Sequence, residues 1–250
     1  MQAYLVLVRR ELGAYFVSIT GYLLVSMVLF LVGLSFVDIL GKLNVEPTDA
    51  PITEQFFVTV YFWMILLLTA PVMTMRTFAF ERSAGTYEAL MTAPVNDWQV
   101  VLAKFTGSQL VYLIAWLPLA FYLVVVSQFS NDASILNVRT LTSTFGGLFL
   151  IGSVFISMGC LASALARSQV IAAVVTYGLG LGLFLLSLRS LMETPAEGWT
   201  GDLLQYVSMT EHMEAFARGA LDTRPMVLYA SLTLFFLFLT TRIVEFRRWK

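Results

Sequence analysis

Charged residues are scarce in this sequence. Only 12% of its 250 residues are Asp, Glu, Lys or Arg, whereas 58% are hydrophobic, and the mean hydropathy is +0.81. Because about a quarter of the residues in soluble domains are charged, this composition excludes a water-soluble globule. The 15 basic residues nearly balance the 16 acidic ones, so the chain lacks the basic excess of a nucleic-acid-binding protein.

Cysteine and histidine are almost absent. The single cysteine, Cys160, lies in an apolar run and excludes both an intrachain disulfide and a cysteine-rich metal site. The single histidine, His212, excludes a histidine-rich metal centre. With Glu211 and Glu214 it could contribute to a metal site, but a solvated polar helix face accounts for these residues more simply. We therefore predict no metal site.

Motifs of ATP-binding and hydrolytic enzymes are also missing. The phosphate-binding loop Gly-x-x-x-x-Gly-Lys-Ser/Thr needs a Gly-Lys pair, and the only such pair, Gly41-Lys42, is followed by Leu43. Neither Gly-x-Ser-x-Gly nor His-Glu-x-x-His occurs. We predict that the chain is not an enzyme, has no catalytic residues and binds no cofactor itself, so that any catalysis belongs to a partner.

Long uncharged apolar runs dominate the chain instead. A helix needs about 20 apolar residues to cross a bilayer core about 30 Å thick. Six runs approach that length, at residues 21–37, 56–75, 105–127, 140–166, 169–188 and 226–241. The predicted fold class is an all-α, polytopic membrane protein with six transmembrane helices. The runs lack the ionisable groups of ion-coupled carriers, and Asp38, just beyond the first run, is interpreted as a solvated carboxylate at a helix end.

The basic residues predict how the spans are oriented. With the N-terminus inside, ten of the fifteen basic residues fall in inward segments, as the positive-inside rule requires of cytoplasmic loops. Both termini are therefore expected in the cytoplasm. A single transmembrane domain, 1–250, would comprise an interfacial helix (1–19), spans one to five (20–188) with an inward loop (76–104), an extracytoplasmic segment (189–224), and span six with a basic tail (225–250).

Segments outside the runs have patterns of their own. Residues 1–19 show apolar residues at helical spacing, which predicts a helix along the cytoplasmic membrane surface. Residues 41–55 are interpreted as an irregular outward connector. Between spans five and six, Ser208-x-x-Glu211 fits a capping box, and an apolar stripe from Tyr206 to Ala220 predicts an amphipathic helix on the outer interface, ended by Gly219.

The inward loop 76–104 contains a second predicted helix, at residues 86–92. Thr86 is a suitable N-cap, Gly85 permits a tight turn before it, and Pro94 cannot extend it. So short a helix buries too little surface to be stable alone, which means that it needs the membrane interface or another protein. Residues 96–99 predict the start of a further helix that continues into span three.

Small residues recur at helical spacing in three places within two of the runs. Gly178-x-x-x-Gly182 lies in span five, and Ser153-x-x-x-Ser157 and Gly159-x-x-x-Ser163 lie in span four. Such faces let helices approach closely. The sequence leaves open whether they pack within one chain or between two copies.

Residues 81–95 read ERSAGTYEALMTAPV, which resembles the E-R-x-x-G-T-x-E-x-L-x-x-x-P-V loop between the second and third spans of ABC-2 type transporter permeases. The position after span two matches the family, and the similarity covers essentially the whole chain. Residues 216–224, followed by span six and Arg247-Arg248-Trp249, resemble the permease subunit of the gliding-motility-associated branch.

The resemblance implies a permease in the bacterial inner membrane that pairs with a second permease, identical or paralogous, and with two cytoplasmic ATPase subunits that bind ATP and Mg²⁺. The loop would be a coupling helix that docks on the ATPase and transmits its movement to the spans. Its expected contact residues are Glu81, Arg82 and Glu88 for polar contacts, Tyr87, Leu90 and Met91 for apolar contacts, and Gly85 and Thr86 for the turn and cap.

Three functions remain open at this point. The first is ATP-driven export or movement of material across the membrane, with uncharged candidates for lining a path at Ser26, Ser35, Thr59, Tyr61 and Thr69, although helix packing explains these residues equally well. The second is transmission of force to an extracytoplasmic partner without solute transport. The third is a membrane scaffold or channel that does not use ATP.

Overall fold

A computed structural model of the protein describes residues 2–45, 51–87, 95–130, 137–192, 199 and 205–248. These residues are arranged as helices, and no strand occurs among them. The helices are α1 (Gln2–Phe16), α2 (Ile19–Val45), α3 (Ile52–Val58), α4 (Val60–Thr74), α5 (Ala79–Ser83), α6 (Asp97–Ala115), α7 (Leu117–Ser130), α8 (Val138–Leu165), α9 (Gln169–Met192), α10 (Met209–Ala217) and α11 (Thr223–Arg248).

Within the described part of the chain, six helical stretches are long and apolar enough to cross a membrane. Numbered as spans one to six, they are Ile19–Val45, Val60–Ser83, Asp97–Gln128, Val138–Leu165, Gln169–Arg189 and Thr223–Arg247. The predicted six-span, all-α fold is thus confirmed. Spans two and four are largely buried inside the bundle, whereas spans one, five and six are mostly exposed, so spans two and four form its centre.

Span four approaches its neighbours closely because its facing residues are small. A Cβ atom added to Gly159 would lie 2.2 Å from the Thr74 hydroxyl of span two. One added to Gly152 would lie 2.2 Å from the Tyr112 ring of span three. The face Gly159-x-x-x-Ser163 therefore packs within the chain and not between two copies of it.

Span three is interrupted near its middle. Helix α6 ends at Ala115, and α7 begins at Leu117. Pro118 has no N–H group with which to continue the helical hydrogen-bond ladder, and the Trp116 N–H donates to the Leu113 carbonyl at 3.1 Å, one residue short of the α-helical partner. The predicted continuous run is correct in extent, but it forms two helical segments.

The connector between spans one and two is more ordered than predicted. Helix α2 continues to Val45, and α3 begins directly after Pro51, so the prediction of an irregular segment over 41–55 is wrong for the described residues. Residues 56–58 also belong to α3 and not to span two. Contacts with α10 stabilise α3, since the Thr53 hydroxyl donates to the Ala217 carbonyl at 2.9 Å and Phe56 and Phe57 are buried.

The predicted helix between spans five and six is present as α10, but its start differs. The Ser208 side chain makes no capping hydrogen bond to the helix backbone; its hydroxyl lies 3.1 Å from the Thr210 hydroxyl. The predicted capping box with Glu211 is therefore wrong. The end of the helix follows the prediction, because Gly219 adopts a φ of +81°, the left-handed conformation that glycine tolerates.

The apolar face of α10 packs against protein. Met213 and Phe216 are fully buried, and a Cβ atom on Gly147 of span four would lie 2.8 Å from the Phe216 ring. The middle of the predicted stripe therefore contacts span four and α3, whereas Tyr206 and Ala220 at its ends are exposed. The location of the helix at the outer interface stays a prediction. Arg218, directly after α10, forms an ion pair with Glu54 of α3 at 2.6 Å.

Helix α1 is attached to spans two and three. Val8 and Tyr15 are buried, the Tyr15 hydroxyl donates to the Met73 carbonyl, and the Tyr4 and Thr106 hydroxyls lie 2.8 Å apart. Leu5 remains exposed, as an apolar residue facing a membrane would be. The sequence predicts the helix correctly, and the structure adds that one side of it contacts the bundle.

Candidate functional site

One end of the bundle gathers basic side chains from several helices. We call this end the basic face and define it by Arg10, Arg76, Arg82, Lys104, Arg167 and Arg247. Arg167 lines a groove beside Arg247, and the other five bond to side chains or backbone carbonyls of neighbouring elements. The chain passes through this face between spans two and three. The first half of the 81–95 motif therefore lies among these basic side chains.

The motif begins at a bend that is fixed to span four. Residues 75–78 form a turn between α4 and the short helix α5. The backbone N–H groups of Phe78 and Ala79 both donate to the Ser163 hydroxyl of span four, each at 3.1 Å. Because these N–H groups open α5 and have no partner within it, Ser163 satisfies the start of the helix and sets its position.

Arg82 caps the end of span four. Its guanidinium donates to the Ala166 carbonyl at 2.5 Å and to the Ala164 carbonyl at 2.9 Å. Arg247 of span six donates to the intervening Leu165 carbonyl at 3.1 Å. The last carbonyls of a helix lack partners within it and carry its negative dipole end, so two guanidinium groups stabilise this terminus. Arg82 thus points into the bundle, although the sequence predicts a contact with the ATPase.

Glu81 points to the other side and joins a network of four charges. Its carboxylate lies 2.6 Å from Arg10 and 2.9 Å from Lys104, and Lys104 also contacts Glu11 at 3.0 Å. The Lys104 side chain is only 2% exposed, and the two carboxylates are 12% and 13% exposed. The network therefore ties α1, α5 and the start of span three together, with Lys104 buried at its centre and Arg10 half-exposed at its edge.

A cavity of about 320 Å³ borders this network and is also lined by Tyr15, Arg76 and Thr86. Arg76 donates to the Ser18 hydroxyl and stacks over the Phe80 ring at 5.2 Å. The turn between α1 and α2 is thereby held next to α5. We call residues 78–87 the elbow; its side chains and backbone contact span three, span four and α1.

Helix α5 ends in a glycine turn. Gly85 has a φ of +71°, its N–H donates to the Arg82 carbonyl at 3.3 Å, and the Thr86 N–H donates to the Glu81 carbonyl at 2.9 Å. This pair of bonds is the Schellman arrangement, which requires a left-handed residue and so favours glycine. The Thr86 hydroxyl also donates back to the Glu81 carbonyl at 3.3 Å, so Thr86 closes α5.

Tyr87 is half-buried at the end of the described part of the loop. Its ring lies beneath the Arg82 guanidinium, 5.5 Å from its centre, and burial raises the pKa of its hydroxyl. This stacking holds the Tyr87 ring against Arg82, which is itself bonded to the end of span four. The remaining predicted contact residues, Glu88, Leu90 and Met91, and most of the predicted helix 86–92, lie outside the described residues.

The chain leaves the loop through a well-defined helix start. Asn96 accepts a hydrogen bond from the Trp98 N–H, and the Gln99 side chain accepts one from the Asn96 N–H, which together form a capping box at the start of α6. The predicted helix beginning at residues 96–99 and running into span three is confirmed. Both described ends of the loop are therefore rigidly joined to helices.

The small residues considered for packing or dimer contacts fall into two groups. Ser153 and Ser157 are buried, and their hydroxyls donate to the Phe149 and Val154 carbonyls of their own helix at 2.7 and 2.9 Å. Gly178 and Gly182 are exposed, with no atom within 4 Å of an added Cβ. The span-four serines thus serve packing within the chain, whereas the span-five glycines face its exterior.

The candidates for lining a transport path are dispersed. Ser35 and Thr69 are buried inside the chain; the Ser35 hydroxyl lies 3.3 Å from that of Thr59, and Thr69 donates to a carbonyl of its own helix. The Tyr61 hydroxyl donates to Asp38 at 2.6 Å in an exposed position. For Ser35 and Thr69, helix packing is the explanation that the contacts favour.

His212 pairs with a tyrosine on the end of the bundle opposite the basic face. Its Nδ1 lies 3.0 Å from the Tyr229 hydroxyl, and partial burial lowers its pKa below the ordinary value of 6.5. Burial also raises the pKa of the neighbouring Glu214. No group of three potential metal-binding side chains occurs among the described residues, and the observed contact of His212 is a hydrogen bond within the protein.

Comparison with known families agrees with this geometry. The profile of the family described as ABC-2 family transporter protein matches residues 37–244. The chain belongs to this family. Among curated proteins, no match to the ABC-2 chain was found. The matched region of the ABC-2 chain includes five of the six spans almost completely and the whole inward loop, whereas α1 precedes it.

Several residues of this site are invisible to local sequence patterns. Lys104 contacts Glu81 of the motif from 23 positions away in the ABC-2 chain. Glu11 is joined to the motif through Lys104, and Ser163 bonds to the backbone of residues 78 and 79 just before it. One local feature of the sequence could have identified Lys104: it is the single basic residue of helix α6, in its first turns. Ser163 belongs to a small-residue face that sequence analysis identified, but for helix packing alone.

Proposed function

We propose that this protein is the membrane subunit of an ATP-binding cassette transporter and couples ATP hydrolysis by a separate ATPase to export or movement across the membrane. Family membership supports the transporter class. The observation that carries the coupling role is the anchored elbow at residues 78–87. Its side chains bind span three, span four and α1 at once.

The elbow is suited to transmitting movement because its contacts are short, polar and buried. Arg82 makes two bonds to the end of span four, and Ser163 accepts two bonds from the start of α5. Glu81 connects the same five-residue helix to span three and α1 through Lys104 and Arg10. Packed interfaces of this kind switch between discrete arrangements instead of deforming smoothly, so a push on the loop displaces several helices together.

The proposed assembly contains two permeases and two ATPase subunits in the bacterial inner membrane, with the basic face in the cytoplasm. The positive-inside rule supports this orientation. The exposed glycines Gly178 and Gly182 support a contact between spans five of two permeases, because small residues allow close approach. The ATPase would bind ATP and Mg²⁺, and an extracytoplasmic auxiliary protein would contact the opposite end.

Within the family, we place the protein nearest the gliding-motility-associated permeases. The support is the sequence of residues 216–224 and the basic end of span six. In the structure this stretch includes the glycine-ended terminus of α10 and the ion pair of Arg218 with Glu54.

The coupling role is tested by co-purification of the intact chain with its cognate ATPase, followed by measurement of ATP hydrolysis in proteoliposomes. The double variant Tyr87→Ala, Glu88→Arg changes the last residue of the elbow and the residue after it, and leaves the bonds of Glu81 and Arg82 in place. We expect it to lower both ATPase association and hydrolysis at least tenfold, while the purified membrane subunit keeps its thermal midpoint. The control Glu211→Arg introduces the same charge reversal at the opposite end and should leave both readouts unchanged.

Wild-type association and hydrolysis in the double variant would remove the loop from the coupling role. Association of the ATPase with stimulation by an outer partner, but without substrate accumulation in vesicles, would favour force transmission over export. Failure of the wild-type chain to bind any cognate ATPase would favour a scaffold or channel.

A further inference from the structure

A groove runs along the surface between the end of span four and the last turns of span six. It encloses about 800 Å³. Its walls are apolar and consist of Leu161, Leu165, Leu239, Ile243 and Phe246. Leu165 and Phe246 are more than half exposed, so the groove opens away from the bundle. Span six itself is mostly exposed along its length, which places the groove on a side of the bundle that faces the bilayer.

Three arginines, Arg167, Arg242 and Arg247, line the same groove. Arg167 is exposed and makes no hydrogen bond or ion pair with any residue that the structure describes. Arg247 donates to the uncharged Leu165 carbonyl, and Arg242 pairs with Glu245 at 2.9 Å. Three guanidinium groups against one carboxylate leave two positive charges at the groove that these contacts do not neutralise.

This combination selects for an amphiphile with a negative head. A free phosphate ion would use the arginines but would not cover the apolar wall of the groove. A neutral lipid would cover the apolar wall but leave the arginines without an anion. Guanidinium groups bind phosphate in a bidentate manner, and basic pockets between membrane helices bind the head groups of anionic lipids.

We propose that this groove binds an anionic phospholipid. Its phosphate is held by Arg167 and Arg242, and an acyl chain lies along Leu239 and Ile243. Arg247 holds the end of span four beside the head group through the Leu165 carbonyl. The proposal rests on membrane insertion and not on ATP coupling, so it can fail or hold independently of the proposed function.

The test uses the purified full-length chain without its ATPase, in a zwitterionic detergent. Native mass spectrometry measures binding of phosphatidylglycerol and phosphatidylcholine with matched acyl chains. We expect wild-type protein to prefer phosphatidylglycerol. Arg167→Gln should lower that preference about fivefold, the effect of one basic residue near an anionic lipid, and Arg167→Gln with Arg242→Gln should abolish it.

Two controls separate the charge effect from folding. Arg167→Lys keeps the charge and should retain most of the preference, and Arg224→Gln removes an exposed charge at the opposite end and should change nothing. Inorganic phosphate at millimolar concentration should not displace the lipid. Because Arg167 is exposed and makes no hydrogen bond or ion pair with the described residues, its variants should keep the wild-type thermal midpoint.

Four results would overturn the proposal. These are equal binding of both lipids by the wild-type chain, an unchanged preference in the double variant, displacement of the lipid by inorganic phosphate, and an equal loss in Arg224→Gln. Loss of ATPase co-purification by the double variant with an unchanged lipid preference would assign the arginines to a protein partner.

Discussion

Replacing Lys104 by Met should destabilise the protein more than any single change of an exposed charge. The Lys104 side chain is 2% exposed, and its ammonium contacts Glu81 at 2.9 Å and Glu11 at 3.0 Å. Removing one partner from a buried ion pair costs about 3–5 kcal/mol, because the remaining charge stays buried. Arg10 still contacts both carboxylates, at 2.6 and 3.3 Å, so we expect the lower end, about 3 kcal/mol.

Thermal unfolding in a zwitterionic detergent, followed by circular dichroism, measures this loss. On the scale of 2–4 °C per kcal/mol for a chain of this size, the midpoint should fall by about 6–12 °C. The matched control is Arg242→Met, which breaks the exposed ion pair with Glu245 and should cost at most about 1 kcal/mol. A third variant, Lys104→Met with Glu81→Gln, should lose less than the sum of the two single changes, because it removes a carboxylate that Lys104→Met leaves without its partner.

The reasoning would be refuted if Lys104→Met and Arg242→Met lowered the midpoint equally. It would also be refuted if the double variant lost the full sum of the single changes, since additivity would mean that Lys104 and Glu81 act independently. Either result would remove the charge network as the connection between α1, α5 and span three.

Three further predictions follow from single positions. Gly159→Ala should lower the free energy of unfolding by about 1–3 kcal/mol, because the new Cβ overlaps Thr74. Gly178→Ala places its Cβ in open space and should not destabilise the chain. Thermal midpoints of the two variants measure the difference. Gly85→Ala should cost about 1–2 kcal/mol through its positive φ, and Gly85→Asn less, as measured by the same midpoints. Burial lowers the pKa of His212 in the folded protein below 6.5, so the unfolded state binds more protons at this residue when the pH falls. The free energy of unfolding should therefore decrease as the pH drops through 6.5. In His212→Gln, the thermal midpoint should change less with pH.

The six spans were predictable because composition alone decides them, but their boundaries were not. Phe56 and Phe57 are as apolar as the residues of span two, so hydropathy assigns them to that span. Their separation into α3 depends on a contact with α10, in which Thr53 bonds to Ala217. A partner 164 positions away leaves no trace in local sequence.

Helix starts were predicted with mixed success for a similar reason. Asn96 caps α6 as its sequence indicates, because the residues that it needs are its immediate neighbours and no other partner intervenes. Ser208 has the same kind of pattern, yet its hydroxyl contacts the Thr210 hydroxyl, and the Ser187 hydroxyl of span five accepts a hydrogen bond from the Thr210 N–H in the same buried cluster. Tertiary hydrogen bonds thus replaced the local one.

The adjacent residues Glu81 and Arg82 explain why the motif needs both charges in this order. Their side chains leave the short helix α5 on different sides, so Glu81 reaches α1 and span three while Arg82 reaches the end of span four. Both side chains therefore hold α5 to other parts of the same chain. Under the proposed function, we expect residues 81 and 82 to anchor the loop and the residues after the glycine turn at Gly85 to contact the ATPase. A force on that later part would then reach the spans through Glu81 and Arg82.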